Sequence, residues 1–175
     1  MKDDYVIGED LQAMLAESKR TMLDFTDDYR PLNMYAIFRE DLQMPPPKMA
    51  AQAGHAFDRC HDKAKIERPD ITSQYKGTGN GTKICMSAKN MRQLERAYRD
   101  CLTAGIPCQI IIDRGHVLAP HFNGDPVITA LGIGPAYRDE VAHIIKRYSL
   151  IKNEPQTALD NEQENPIQIK RPKIK

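Results

Sequence analysis

Apolar residues recur along this chain with two different spacings, and each change of spacing marks a change of element. From Glu9 to Asp24, Leu11, Met14, Leu15, Ser18, Met22 and then Phe25 form most of one stripe, which predicts an amphipathic helix. Asp27-Asp28-Tyr29-Arg30-Pro31 breaks it, since proline cannot donate into a continuing helix. Over Asn33–Arg39 the period shortens to two. Met34, Ala36 and Phe38 alternate with Tyr35 and Ile37 and predict a strand. Pro45-Pro46-Pro47 then imposes an extended link and presets a helix start, so a helix follows from about Lys48 to Lys65. On it Met49, Ala53, Phe57 and Cys60 make a stripe suited to packing on a sheet.

Residues Glu67–Gly81 read as a loop closed by Gly77-Thr78-Gly79-Asn80-Gly81. Such glycine spacing can mimic a phosphate loop, but no GK[ST] follows and the next element is a strand, so it reads as a turn. Thr82–Met86 is a short strand, and Ser87 caps a helix over Ala88–Thr103 that points Leu94, Ala97, Tyr98 and Cys101 inward. Gly105 ends that helix and Pro107 prevents its continuation. Cys108–Ile112, apolar at every position but Gln109, reads as a central strand. Asn123-Gly124-Asp125-Pro126 marks a turn, and Val127–Ile133 the next strand. Pro135 opens a last helix that carries Asp139 and Glu140 in its first turn and ends near Tyr148. This order predicts an α/β fold, a mixed four-stranded sheet flanked by helices in a single domain. In open sheets of this kind ligands collect beyond the carboxyl ends of strands, where Asp41, Lys48 and Asp113 all fall.

The 175 residues suit one domain with appendages. Residues 1–31 form an acidic helical extension of net charge −4, and residues 32–152 the folded domain, whose first 120 residues carry +4. Residues 153–175 are polar, proline-containing and basic at the end (Lys170-Arg171-Pro172-Lys173), a composition that cannot bury a core and predicts a disordered tail. A mildly basic body is compatible with an anionic partner, and solvated lysines explain it equally well. Cys60, Cys85, Cys101 and Cys108 form no CxxC pair and no zinc-ligand spacing with a histidine, which suits buried thiols in a reducing cytoplasm. No apolar run approaches the ~20 residues of a membrane span, and no basic-then-apolar leader precedes the acidic start, so a cytoplasmic protein without a membrane partner is expected.

Candidate chemistry concentrates at the start of the second helix. Lys48, Gln52 and His55 fall at i, i+4 and i+7, placing a cation, an amide and an imidazole on one side. A lysine in a first turn opposes the helix dipole, so its presence there wants another reason. His55 sits among alanines, where a packed, hydrogen-bonded ring is as good a reading as a proton carrier. Other histidines carry less: His61 and His143 read as helix-surface residues, and His116 and His121 flank a loop without ligand company, so no metal is expected.

The strand followed by Arg39, Asp41, Leu42, a short loop, and Lys48, Ala50, Ala51, Gln52, His55 and Ala56 resembles the archaeal and eukaryotic (second) family of peptidyl-tRNA hydrolases. A second block, Asp113 and Gly115, then Ala119-Pro120 and Thr129-Ala130-Leu131-Gly132-Ile133-Gly134-Pro135, resembles that family in the same order. The resemblance spans roughly Asn33 to Lys152. It implies the same mixed sheet, a homodimer, and hydrolysis of the ester in peptidyl-tRNA without cofactor or metal. It also implies Lys48, His55, Asp113 and Thr129 as catalytic residues. Lys48 suits an oxyanion or phosphate, Asp113 a water or proton, and Thr129, a residue common in strands anyway, the positioning of water or substrate. Arg39, Asp41, Gln52, Arg59 and Lys63 are the candidate substrate-binding residues, the basic ones for tRNA phosphates and Gln52 as a positioning residue bonded to backbone or to Asp41. Two departures stand out. Pro45-Pro46-Pro47 replaces a flexible, lysine-containing loop, and the segment after Asp113 lacks an arginine and a threonine, for which Arg114 and His116 are candidate substitutes. These departures motivate a rival of another class: a non-catalytic tRNA-binding or protein-interaction module on the same scaffold.

Overall fold

The computed structural model describes residues 9–21, 30–77 and 81–151. The expected tail of residues 153–175 lies outside these, as do the flanks of the leader helix α1 (Glu9–Thr21). The body runs β1 (Leu32–Arg39), α2 (Pro46–Glu67), α3 (Pro69–Gly77), β2 (Thr82–Ala88), α4 (Met91–Thr103), β3 (Cys108–Asp113), β4 (Val117–Leu118), β5 (Phe122–Asn123), β6 (Val127–Tyr137), α5 (Arg138–Ile145) and β7 (Ser149–Leu150). The sheet is mixed and five-stranded, in the order β3-β6-β1-β2-β7. Among the described residues only β1 and β2 pair in parallel; β6 is antiparallel to both β1 and β3, and β7 to β2. The expected count of four strands is one short, because β7 is a two-residue edge strand too brief to leave a periodic signal.

Alternation along the strands builds two cores. Tyr35, Ile37, Leu131 and Ile133 face one way, onto Leu94, Ala97 and Cys101 of α4 and Val141 and Ile144 of α5. Ala36, Phe38, Ile111 and Ala130 face the other way with Ala56 of α2, and Met34 and Cys60 join Tyr75 of α3. Helices therefore cover both faces of the sheet. That explains why β3 reads as a central strand while sitting at an edge. Ile110 and Ile111 are needed on opposite faces, and apolar character reports face coverage, not the number of paired neighbours.

Four local expectations are corrected. Residues read as a loop include helix α3, where Pro69 suits a first turn, the Thr72 hydroxyl donates to the Arg68 carbonyl (2.9 Å), and Tyr75 is buried. The cap of α4 is Asn90, whose side chain accepts from the Gln93 amide, and not Ser87, which lies in β2. Pro135 lies inside the long strand β6, and α5 begins only at Arg138, with the Glu140 carboxylate accepting from the Tyr137 amide (2.9 Å). His61 is buried against α3, its ring 6.5 Å from that of Tyr75. The cysteines are free, three of them buried, and burial pushes the Cys60 thiol far up.

One contact sets the depth at which α2 lies on the sheet. A Cβ built on Gly132 would stand 2.2 Å from the Ala56 carbonyl oxygen and 2.8 Å from the Cys60 Cβ. Glycine at this point of β6 lets the helix backbone touch the strand. Gly132→Ala is therefore expected to lose ~1–3 kcal/mol as α2 is pushed outward. Gly54→Ala, on the same helix with open space around it, should gain ~0.5–1 kcal/mol. Urea unfolding of both variants checks the pair of signs.

Candidate active site

The amino-terminal end of α2 and the carboxyl ends of β1 and β3 meet at one place. Pro45, extended at φ −65°, precedes α2, and Pro46 and Pro47 occupy first-turn positions where no N–H partner is needed. The stiff link delivers Lys48, one turn in, to the end of β3. There its ammonium pairs with Asp113, the two side chains only 8% and 15% exposed. The same ammonium lies 4.2 Å from the ring centre of Phe122. A carboxylate and an aromatic face together explain a lysine set against its own helix dipole.

Phe122 belongs to a two-stranded ribbon, β4 with β5, that folds over the site; its ring is buried and meets His116 edge-on at 5.8 Å. Sequence reasoning missed Phe122. The Asn123-Gly124 turn beside it signalled a reversal, but nothing local says what the ring will cover. His116 thus buttresses the aromatic wall, and Arg114 is exposed.

Thr129 is fully buried. Pairing of β3 with β6 slips here: Ile111 faces Ala130 while Ile112 faces Ile128, leaving Thr129 as the extra residue of a bulge. The bulge turns its hydroxyl toward α2, where it donates to Gln52 Oε1 at 2.7 Å, closer than the Ile111 carbonyl at 3.3 Å. Gln52 is itself buried, and its partner is the Thr129 side chain, where backbone or Asp41 was expected. Asp41 is taken by Arg39, whose guanidinium donates to both carboxylate oxygens (3.1 and 2.7 Å) and to the Ile128 carbonyl (3.1 Å). Arg39 therefore ties the turn after β1 to β6, which leaves less of its fork for a phosphate.

The remaining candidates lie farther along α2. His55 and Arg59 are exposed, and Lys63 donates to the Cys108 carbonyl (2.9 Å) with Glu67 3.6 Å away. Lys63 fastens helix to strand, and Arg59 is the cation of this group turned to solvent. The structure brings Lys48, Asp113, Gln52 and Thr129 to one end of the α2–β3–β6 interface; it does not bring His55 into that buried group.

Fold and site together define the class: an α/β domain with a nearly buried Lys–Asp pair and a buried Thr–Gln pair where strand ends meet a helix start. Residues 32–151 match the family model described as Peptidyl-tRNA hydrolase PTH2, and the chain belongs to that family. A protein of Methanocaldococcus jannaschii named peptidyl-tRNA hydrolase is 30% identical over 121 residues, covering 69% of this chain and 100% of that one. Its namesake in Methanococcus vannielii is 30% identical over 115 residues, 66% of this chain and 95% of that one. A probable peptidyl-tRNA hydrolase 2 of Schizosaccharomyces pombe is 30% identical over 102 residues, 58% of this chain and 47% of that one. Nothing in these relatives favours a module that only binds. No helix among the described residues is long and apolar enough to cross a membrane.

Removing either member of the Lys48–Asp113 pair strands the other charge with little water around it. Lys48→Met and Asp113→Leu should each destabilise the domain, and the double variant by less than their sum, with a coupling above ~1 kcal/mol. Chemical unfolding of all four proteins checks this; strict additivity would show that the two charges do not interact.

Proposed function

We propose that this chain hydrolyses the ester joining the carboxyl end of a peptide to the terminal ribose of tRNA, releasing peptide and free tRNA. The observation that carries the reading is the Lys48–Asp113 pair, walled by Phe122 at the strand ends, in a chain of the peptidyl-tRNA hydrolase family. One Asp113 oxygen faces Lys48; the other is available to a water. As that water attacks the ester carbonyl, Asp113 takes its proton and the Lys48 ammonium faces the charge growing on the carbonyl oxygen. Collapse of the tetrahedral intermediate breaks the bond to the ribose oxygen, and the proton held by Asp113 completes the leaving hydroxyl.

Thr129 enters this scheme indirectly. Fully buried, it does not touch substrate; by donating to Gln52 Oε1 it fixes which way that amide lies and so where the Gln52 NH₂ donors point. Thr129 is thus a positioning residue and Gln52 the group nearer the substrate. His55 and Arg59, exposed on α2, suit the approach of tRNA phosphates. The catalytic domain is residues 32–152, with residues 1–31 and 153–175 as appendages, and four free cysteines suit work in the cytoplasm. Pairing of two copies is supported by the resemblance alone.

Incubation with an N-acetylated aminoacyl-tRNA tests the reading. The chain should release the acyl group, and Asp113→Asn should slow turnover by ~100-fold or more while tRNA binding holds or tightens, since a carboxylate repels phosphate. Affinity should fall steeply with added salt. A protein that binds the tRNA and leaves the ester intact contradicts the proposal.

A further inference from the structure

A second recess opens beside the middle of α2. It lies at the amino-terminal ends of β1 and β2, and it shares no lining residue with the Lys48–Asp113 site. His61 lies thirteen residues beyond Lys48, about 20 Å along the helix at about 1.5 Å per residue. The volume is about 460 Å³, within the ~300–1,000 Å³ of small-molecule sites.

Three kinds of surface meet there. Met34, Phe57 and Tyr75 form an apolar and aromatic wall. Lys76, at the end of α3, and Lys83, at the start of β2, bring two ammonium groups, with Lys83 Nζ 5.7 Å from the centre of the Tyr75 ring. Between them stand two groups able to bond the edge of a polar ring. One is the exposed carboxylate of Asp58. The other is the imidazole of His61, which is 8% exposed and whose buried Nε2 has no hydrogen-bond partner among the described residues. A buried ring nitrogen left without a partner costs ~1–3 kcal/mol, and a small turn of the His61 ring would offer it to the recess.

We infer that this recess is a nucleotide-binding site, separate from the ester-cleaving centre, that takes a nucleobase against its apolar wall and a phosphate between Lys76 and Lys83. Each part of that ligand answers one part of the recess. The flat ring covers Phe57 and Met34, the polar ring edge and ribose hydroxyls meet His61 and Asp58, and the phosphate meets the lysines. A simple inorganic anion would use the lysines and leave the apolar wall and Asp58 unanswered. A purely apolar ligand would make no use of the two ammonium groups. The inference is independent of the proposed ester hydrolysis, because it uses none of those residues. The same chemistry is offered by a free mononucleotide and by one nucleotide of an RNA strand.

Amide NMR titration of the full chain separates these sources. Nucleoside 5′-monophosphates form one arm and a single-stranded RNA hexamer the other. Signals of Gly54, His61, Tyr75 and Lys76 should move, those of Lys48 and Asp113 should not, and Lys76→Glu/Lys83→Glu should weaken binding about tenfold, as expected of reversing two charges against a phosphate. Saturation by a monophosphate identifies a free nucleotide as the ligand. Saturation by the hexamer with inert monophosphates identifies RNA. A dispersed amide spectrum verifies that the double variant folds; if it does not, Lys76→Glu alone, at an exposed position, carries the comparison. The inference is overturned if neither probe moves these signals, if the shifts gather at Lys48 and Asp113, or if the charge-reversed protein binds as tightly as the wild type.

Discussion

Everything in the site depends on how closely α2 lies on β6. At Gly132 the helix carbonyl of Ala56 occupies the space a side chain would fill, and the Cys60 thiol donates to the Gly134 carbonyl at 3.1 Å. Lys63 adds a third fastening, to the Cys108 carbonyl of β3. These contacts fix the height and rotation of a helix whose first two turns carry Lys48 and Gln52. Each must meet a partner on a different strand, Asp113 on β3 and Thr129 on β6. A small outward movement would separate both pairs at once, because neither partner strand would follow.

Around that seat, irregularities do the placing. The bulge in β6 turns Thr129 out of its strand register and toward α2, and the β4–β5 ribbon lays Phe122 over the lysine. The low exposure of Lys48 and Asp113 is thus achieved by a wall on one side and a helix on the other. In such surroundings charge–charge attraction is less screened, which is the condition under which a lysine can stabilise a growing oxyanion.

Much of this was legible in the chain itself. Alternation placed β1, the apolar run placed β3, and three-to-four-residue periodicity placed α2 and α4 within a few residues. Lys48, Gln52 and Asp113 were legible because their spacing and their position past strand ends are local properties. What was not legible is long-range. The partner of Gln52 depends on a pairing slip seventy-seven residues away in β6, and Asp41 found a nearer cation in Arg39. Phe122 gave no sign because its role comes from where a ribbon folds over. Helix α3 was hidden by its short length and polar surface, with Thr72 and Tyr75 as its buried residues. Its presence turned His61 from a surface residue into a buried one.

The central chemical claim is that Asp113 acts on a water and does not itself attack the ester. A single turnover of N-acetyl-aminoacyl-tRNA by excess unlabelled enzyme in ¹⁸O-water, followed by mass spectrometry of the released acid and of the Asp113 peptide, tests it most directly. The account predicts one heavy oxygen in the released carboxyl group and none in Asp113. Unlabelled acid together with heavy oxygen in Asp113 would mean that the carboxylate had formed a bond to the acyl group, and the account would be wrong.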